Sequence, residues 1–213
     1  MKKNLKVKVD IAKLLSADRK GARRQLQIAN SAVDLLARDS VANFSFEKLA
    51  QSCRVTRTLI YRYYPTFSDL MAFLGALIRH RYQEFVIKRM ESQKNPAAIF
   101  KAYIGALLDW FEVYPNDAHV WLAYFHQSSV TANLRSKNKE MVDMGAERIS
   151  QMLQMNAQQK RDFSSQARCI QFLITGYLVS KATEERTPSE WKRLKTHTLN
   201  LCLEFMEPKF AQL

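Results

Sequence analysis

The sequence predicts an all-α fold of about nine helices: an N-terminal three-helix unit built around a helix-turn-helix, then a larger helical bundle. Three observations carry this expectation. Apolar residues recur at helical spacing along nearly the whole chain, and no stretch alternates as a strand would. Five Gly and five Pro in 213 residues are too few turn-formers for an all-β fold. The prolines Pro65, Pro96, Pro115 and Pro188 also fall where helices should start or stop. The expected divisions are 1–18 as a basic arm, 19–67 as the helix-turn-helix domain and 68–213 as the bundle.

The arm holds Lys2, Lys3, Lys6, Lys8 and Lys13, and reads either as a solvated tail or as a segment that embraces a polyanion. From Asp18, the spacing of Leu26, Ala29, Val33 and Leu36 marks one face of a first helix. Arg19, Lys20, Arg23 and Arg24 crowd its first turns, where cations oppose the helix dipole. A nearby phosphate backbone or a plain solvated face would each account for them. Ser45 is an N-cap for a second helix whose inward face is Phe46, Leu49, Ala50 and Cys53. Val55 plugs the turn, and Thr56 caps a third helix that faces Leu59 or Ile60 inward. That helix stops before Pro65, because Tyr64 cannot stay helical ahead of a proline.

Thr66 and Asp69 make a capping-box start for a fourth helix, running through Leu70, Phe73, Leu74 and Leu77 to about Met90. After a break at Ser92–Pro96, a fifth stripe comprises Phe100, Tyr103, Leu107, Trp110 and Tyr114, ended by Pro115. Val120, Trp121, Tyr124 and Phe125 lie on a short sixth helix. A more polar seventh spans about 131–155. The eighth, about 163–185, is apolar on more than one side at Ile170, Leu173, Ile174, Tyr177 and Leu178. Thr187, Pro188 and Glu190 supply an N-cap, an N1 proline and an N3 glutamate for the ninth.

Hydrophobic residues at 47% and charged residues at 25% describe an ordinary globular chain. The longest uncharged apolar run, Leu70 to Ile78, is too short to cross a bilayer. The positive start lacks an apolar export segment, so a cytoplasmic protein without membrane contact is expected. Cys53, Cys169 and Cys202 are odd in number and carry no CxxC, which excludes a fully paired disulfide framework and predicts buried free thiols. His119 and His126 share a helix face but lack further ligands, so neither a metal nor a cofactor is expected. The net charge of +13 is unevenly placed: residues 1–67 hold 14 Lys or Arg against 5 Asp or Glu, and the rest 19 against 15. The first third thus carries most of the excess, as a polyanion-binding region would.

The third helix concentrates the chemistry. Thr56-Arg57-Thr58 opens it and Tyr61-Arg62-Tyr63 continues it, so a short helix presents donors suited to phosphates and base edges in a DNA major groove. The segment LAQSCRVTRTLIYRYYPTFSDL resembles the DNA-binding signature of the TetR (tetracycline repressor-like) family. The resemblance implies a homodimer on near-palindromic double-stranded DNA, with Ser45, Lys48, Thr56, Arg57, Thr58, Leu59, Tyr61, Arg62 and Tyr63 facing it. Within that set, Ser45 and Tyr61 are expected on phosphate, Arg57 on guanine, and Leu59 against a thymine methyl. Three residues depart from the family pattern: Arg54 and Thr58 stand where glycines are common, and Phe67 where a lysine often meets phosphate.

The resemblance also implies a repressor controlled by a small-molecule effector. Its expected site, for an apolar or aromatic ligand, is lined by Tyr103, Trp110, Tyr114, Trp121, Tyr124, Phe125 and Phe172; the same aromatic stripe reads equally well as packed core. The last two helices are expected to pair with a second subunit through Ile174, Tyr177, Leu178, Trp191, Leu194, Thr198, Leu201 and Phe205. A ligand-independent nucleoid or partner-recruiting factor of the same fold is the alternative. No Ser/His/Asp, Cys/His, HExxH or glycine-rich phosphate motif points to an enzyme, and Asp109 and Glu112, the nearest carboxylates to an inward face, read as solvated.

Overall fold

The computed structural model describes residues 20–157 and 160–206, and among these it is entirely helical, with nine helices and no strand. They are α1 (Lys20–Asp39), α2 (Phe46–Cys53), α3 (Arg57–Tyr63), α4 (Phe67–Met90), α5 (Pro96–Val113), α6 (Pro115–Val130), α7 (Ala132–Asn156), α8 (Ser164–Thr183) and α9 (Pro188–Glu204). The expected basic arm and the helix start at Asp18 lie outside the described residues.

Local sequence sets most of these boundaries. The Ser45 hydroxyl accepts the Lys48 N–H at 3.2 Å, and Thr56 accepts that of Leu59 at 3.3 Å. Thr66 and Asp69 exchange two hydrogen bonds at 3.1 Å in a full capping box, and Thr187 with Glu190 makes another at the head of α9. Asn95 caps α5 with Pro96 just inside it. Tyr114 separates α5 from α6 without any side-chain cap, and α6 then runs on to Val130, well beyond the short helix expected.

The three N-terminal helices close on Ile28, Ala32, Leu49 and Ile60, all without solvent exposure. Ile60 is therefore the inward residue of α3, while Leu59 is half-buried. Leu70 and Leu74 carry this core into the bundle, where Phe100, Ile104, Leu108, Val120 and Ile170 are fully buried. Helix α1 packs on α2, α4 and α6, so the helix-turn-helix sits against the bundle through α1. Gly75 lets α4 approach α6 closely: a Cβ there would lie 2.7 Å from the Tyr124 ring.

Candidate nucleic-acid interface

The turn between α2 and α3 reverses the chain through Arg54, whose φ of 52° and ψ of 49° lie in the left-handed region. The Arg54 N–H donates to the Gln51 carbonyl at 3.1 Å and the Val55 N–H to Ala50 at 3.0 Å, which closes the end of α2. An arginine in this conformation costs about 1 kcal/mol relative to glycine. The substitution is thus accommodated by strain, and the turn keeps its shape.

Helix α3 then projects its polar face outward. Thr56, Arg57, Thr58, Tyr61 and Arg62 are exposed, as is Lys48 on α2, while Ser45, Leu59 and Tyr63 are half-buried. The Arg57 guanidinium donates to the Tyr61 hydroxyl at 3.4 Å, lies 5.9 Å from that ring, and stands 4.0 Å from Glu47. Its hydrogen bond to Tyr61 raises the Arg57 pKa above the ordinary arginine value. The Tyr61 ring in turn rests edge-on against Phe46 at 5.0 Å. Arg57 is therefore exposed but pre-positioned by weak contacts that a base edge could displace. Lys48 donates to the Asn43 carbonyl at 2.8 Å, and Phe67, one of the three departures, packs on Phe44 at 5.2 Å. Phe67 thus belongs to an apolar seam with Phe44.

The far end of α3 is fixed from within. Tyr64 is 1% exposed, meets Phe73 edge-on at 5.3 Å, and donates its hydroxyl to the Gln25 carbonyl at 3.0 Å. Burial pushes the Tyr64 phenol well above its usual pKa. The unit is also tied to the bundle. Arg81 on α4 donates to Asn30 on α1 and to Asp117 on α6, both at 2.6 Å, and Asn116 donates to Asp34 at 3.1 Å. Burial raises the Asp117 pKa, against the pull of Arg81. The sequence reading missed these ties, because residues so distant along the chain leave no local signal.

The seven aromatic residues expected at an effector site are not brought together as one lining. Tyr103, Trp110 and Tyr124 are buried, and Trp110 meets Tyr82 edge-on at 5.6 Å. Burial pushes the Tyr82 and Tyr103 phenols up. A chain of ring contacts leads outward from Trp110 through Phe111 and Trp121 to Phe125, the last pair stacked at 5.7 Å. Tyr114 stands apart against Phe85 at 5.5 Å. Phe172 is a correction: it is 68% exposed on the outer face of α8.

The expected pairing surface needs a larger correction. Ile174, Tyr177, Leu178, Trp191 and Thr198 are buried inside the protomer, and Leu194, Leu201 and Phe205 are half-buried. Among the residues that α8 leaves outward are Cys169, Phe172 and Gly176, and among those that α9 leaves outward are Lys192, Arg193, Thr196, His197 and Asn200. Because α8 is apolar on several sides, periodicity alone chose the face that the protomer's own core consumes. Asp109 and Glu112 are likewise not free carboxylates. Asp109 pairs with Arg89 at 3.0 Å and with Lys195, and Glu112 pairs with Lys181 at 3.0 Å. No helix among the described residues is long and apolar enough to cross a membrane.

No protein-family model matches the chain, and no curated protein matches it in sequence. Many solved structures match in fold. A TetR transcription regulator from Haloarcula marismortui superposes with a TM-score of 0.73 at 14% identity, covering 87% of this chain and 97% of its own. A putative transcriptional regulator from Saccharomonospora viridis in complex with choline gives 0.73 at 17% identity, covering 86% and 96%. AibR in complex with isovaleryl coenzyme A and operator DNA gives 0.60 at 18% identity, covering 84% and 98%. The chain therefore has the all-helical fold of TetR-like transcriptional regulators, as the resemblance of its helix-turn-helix segment implied.

Proposed function

We propose that this chain with a TetR-like fold is a sequence-specific DNA-binding transcriptional regulator that acts as a homodimer. The observation that carries the reading is the outward face of α3. Thr56, Arg57, Thr58, Tyr61 and Arg62 stand exposed on a short helix that Ile60 and Tyr64 anchor to a rigid unit. The first third of the chain also holds most of the positive charge. Arg57 reads a guanine edge, Thr58 and Leu59 contact neighbouring bases, and Ser45, Lys48, Thr56, Tyr61, Arg62 and Tyr63 hold the phosphate backbone. The exposed faces of α8 and α9 pair two protomers, which places two recognition helices on half-sites about 34–36 Å apart.

The chain represses transcription in this reading, and a small apolar or aromatic effector in the bundle lowers its operator affinity. The solved complexes with choline and with isovaleryl coenzyme A plus operator DNA support an effector, since they show ligands on proteins of this fold. The dense burial of Tyr103, Trp110 and Tyr124 favours the alternative, a ligand-independent factor of the same fold. Selection from random duplex DNA tests the main reading. It should enrich a two-fold symmetric site, and recovery of unselected sequences at every salt concentration would reject it. Adding candidate ligands to the same selection separates the two variants: loss of enrichment supports the effector, and constant enrichment the ligand-independent factor.

A further inference from the structure

We propose that Arg81 and Asp117 form an ionic latch that locks the helix-turn-helix unit to α6, and that opening it passes a change in the bundle to the DNA-contacting helices. This rests on the DNA-binding reading above. The latch joins three helices through one guanidinium, with Nη1 on Asp117 of α6 and Nη2 on Asn30 of α1, each at 2.6 Å. The adjacent Asn116 repeats the connection through Asp34 at 3.1 Å, so the first turn of α6 is tied twice to α1.

The latch should behave as a two-state device. Asp117 is 4% exposed, and its second carboxylate oxygen is buried without a partner. Its charge is therefore compensated from one side, by Arg81, helped by its place in the first turn of α6 where the helix dipole favours an anion. Drawing Arg81 away would strand a buried charge, which is strongly unfavourable. The pair is accordingly either closed or opened fully to water, and partial stretching has no stable form.

Helix α6 is also placed to drive it. Tyr124, on the same helix, presses into the space above Gly75 of α4, close enough that a Cβ there would clash at 2.7 Å. Trp121 and Phe125 continue the ring contacts that begin at Trp110. A displacement anywhere along that aromatic chain moves α6 against α4, and Arg81 of α4 and Asp117 of α6 are the groups that such sliding separates. Asn30 then loses its donor, and α1 its fixed position on the bundle.

The test uses the full-length chain with Asp117→Asn, Asn30→Ala and the double variant. Both substitutions preserve or reduce side-chain size, and Asn30 is exposed. On a duplex enriched from random DNA, each single variant should bind about fivefold or more weakly, a coupling of ordinary allosteric size. The double variant should bind no more weakly than the worse single one, because both changes disable one device. Losses that multiply, or affinities that stay unchanged while the melting temperature falls, overturn the latch. Hydrogen exchange on the free protein gives a readout without DNA. Asp117→Asn should speed exchange in α1 and the first turn of α6 and leave α9 unchanged. Unaltered exchange at α1 overturns the latch, whereas failure to enrich any duplex counts against the DNA-binding reading alone.

Discussion

The Tyr64 hydroxyl donates to the Gln25 carbonyl at 3.0 Å and so ties the end of α3 to α1, 39 residues earlier in the chain. The bond is sheltered, since Tyr64 is 1% exposed beneath Phe73. Tyr64→Phe keeps the ring packing and removes only this bond. It should cost about 0.5–1.5 kcal/mol of stability, the usual net worth of one hydrogen bond. Chemical denaturation of the two proteins measures this, and an unchanged midpoint would show that α3 is held by packing alone.

Arg54 offers the opposite prediction. Its φ of 52° is one that an L side chain adopts at a cost. Arg54→Gly should therefore stabilise the protein by about 1 kcal/mol, with the turn hydrogen bonds to Ala50 and Gln51 retained. A loss of stability in the same denaturation measurement would mean that the arginine makes a compensating contact.

The contrast between these two residues shows what a sequence reveals. The caps at Ser45, Thr56, Thr66 and Thr187 were legible because a cap and its partner lie within one turn, and all four form as expected. The exposed face of α3 was legible for the same reason. Side chains that meet across helices were not. Arg81, Asn30 and Asp117 carry no mark of their association, and Asp109 read as solvated although Arg89 and Lys195 both reach it. On α8 the apolar residues surround the helix, so Phe172 and Ile174 were equally good candidates for inside and outside. Packing placed Phe172, expected at an effector site, outside, and Ile174, expected between protomers, inside the protomer's own core.

The buried phenols predict how the protein responds to alkali. Burial pushes Tyr64, Tyr82 and Tyr103 upward, and Tyr177 up to about 12. A phenol whose folded pKa exceeds its unfolded value of about 10 favours folding fully below that pH, and the contribution falls as pH rises past it. Unfolding free energy should therefore decline from about pH 10 upward. Ultraviolet titration of the native protein should show these phenols ionising late or only on unfolding. Uniform ionisation of all eight tyrosines in a still-folded protein would contradict their burial.

The thiols report on the proposed pairing of protomers. Cys169 is exposed beside Phe172, Cys53 is buried, and burial pushes the Cys202 thiol up to about 12. A thiol reagent should modify Cys169 first, and more slowly as protein concentration rises, because the exposed face of α8 is then covered. Concentration-independent labelling of Cys169 would place the dimer contact elsewhere.

The central claim is that α3 reads base sequence through Arg57, and affinity measured on two duplexes tests it most directly. One duplex carries the site enriched from random DNA, the other the same bases scrambled, both at one salt concentration. Arg57→Ala should weaken binding to the enriched site by about 1–3 kcal/mol and leave binding to the scrambled duplex nearly unchanged. Equal losses on both duplexes, or a wild-type protein that does not distinguish them, would contradict the account.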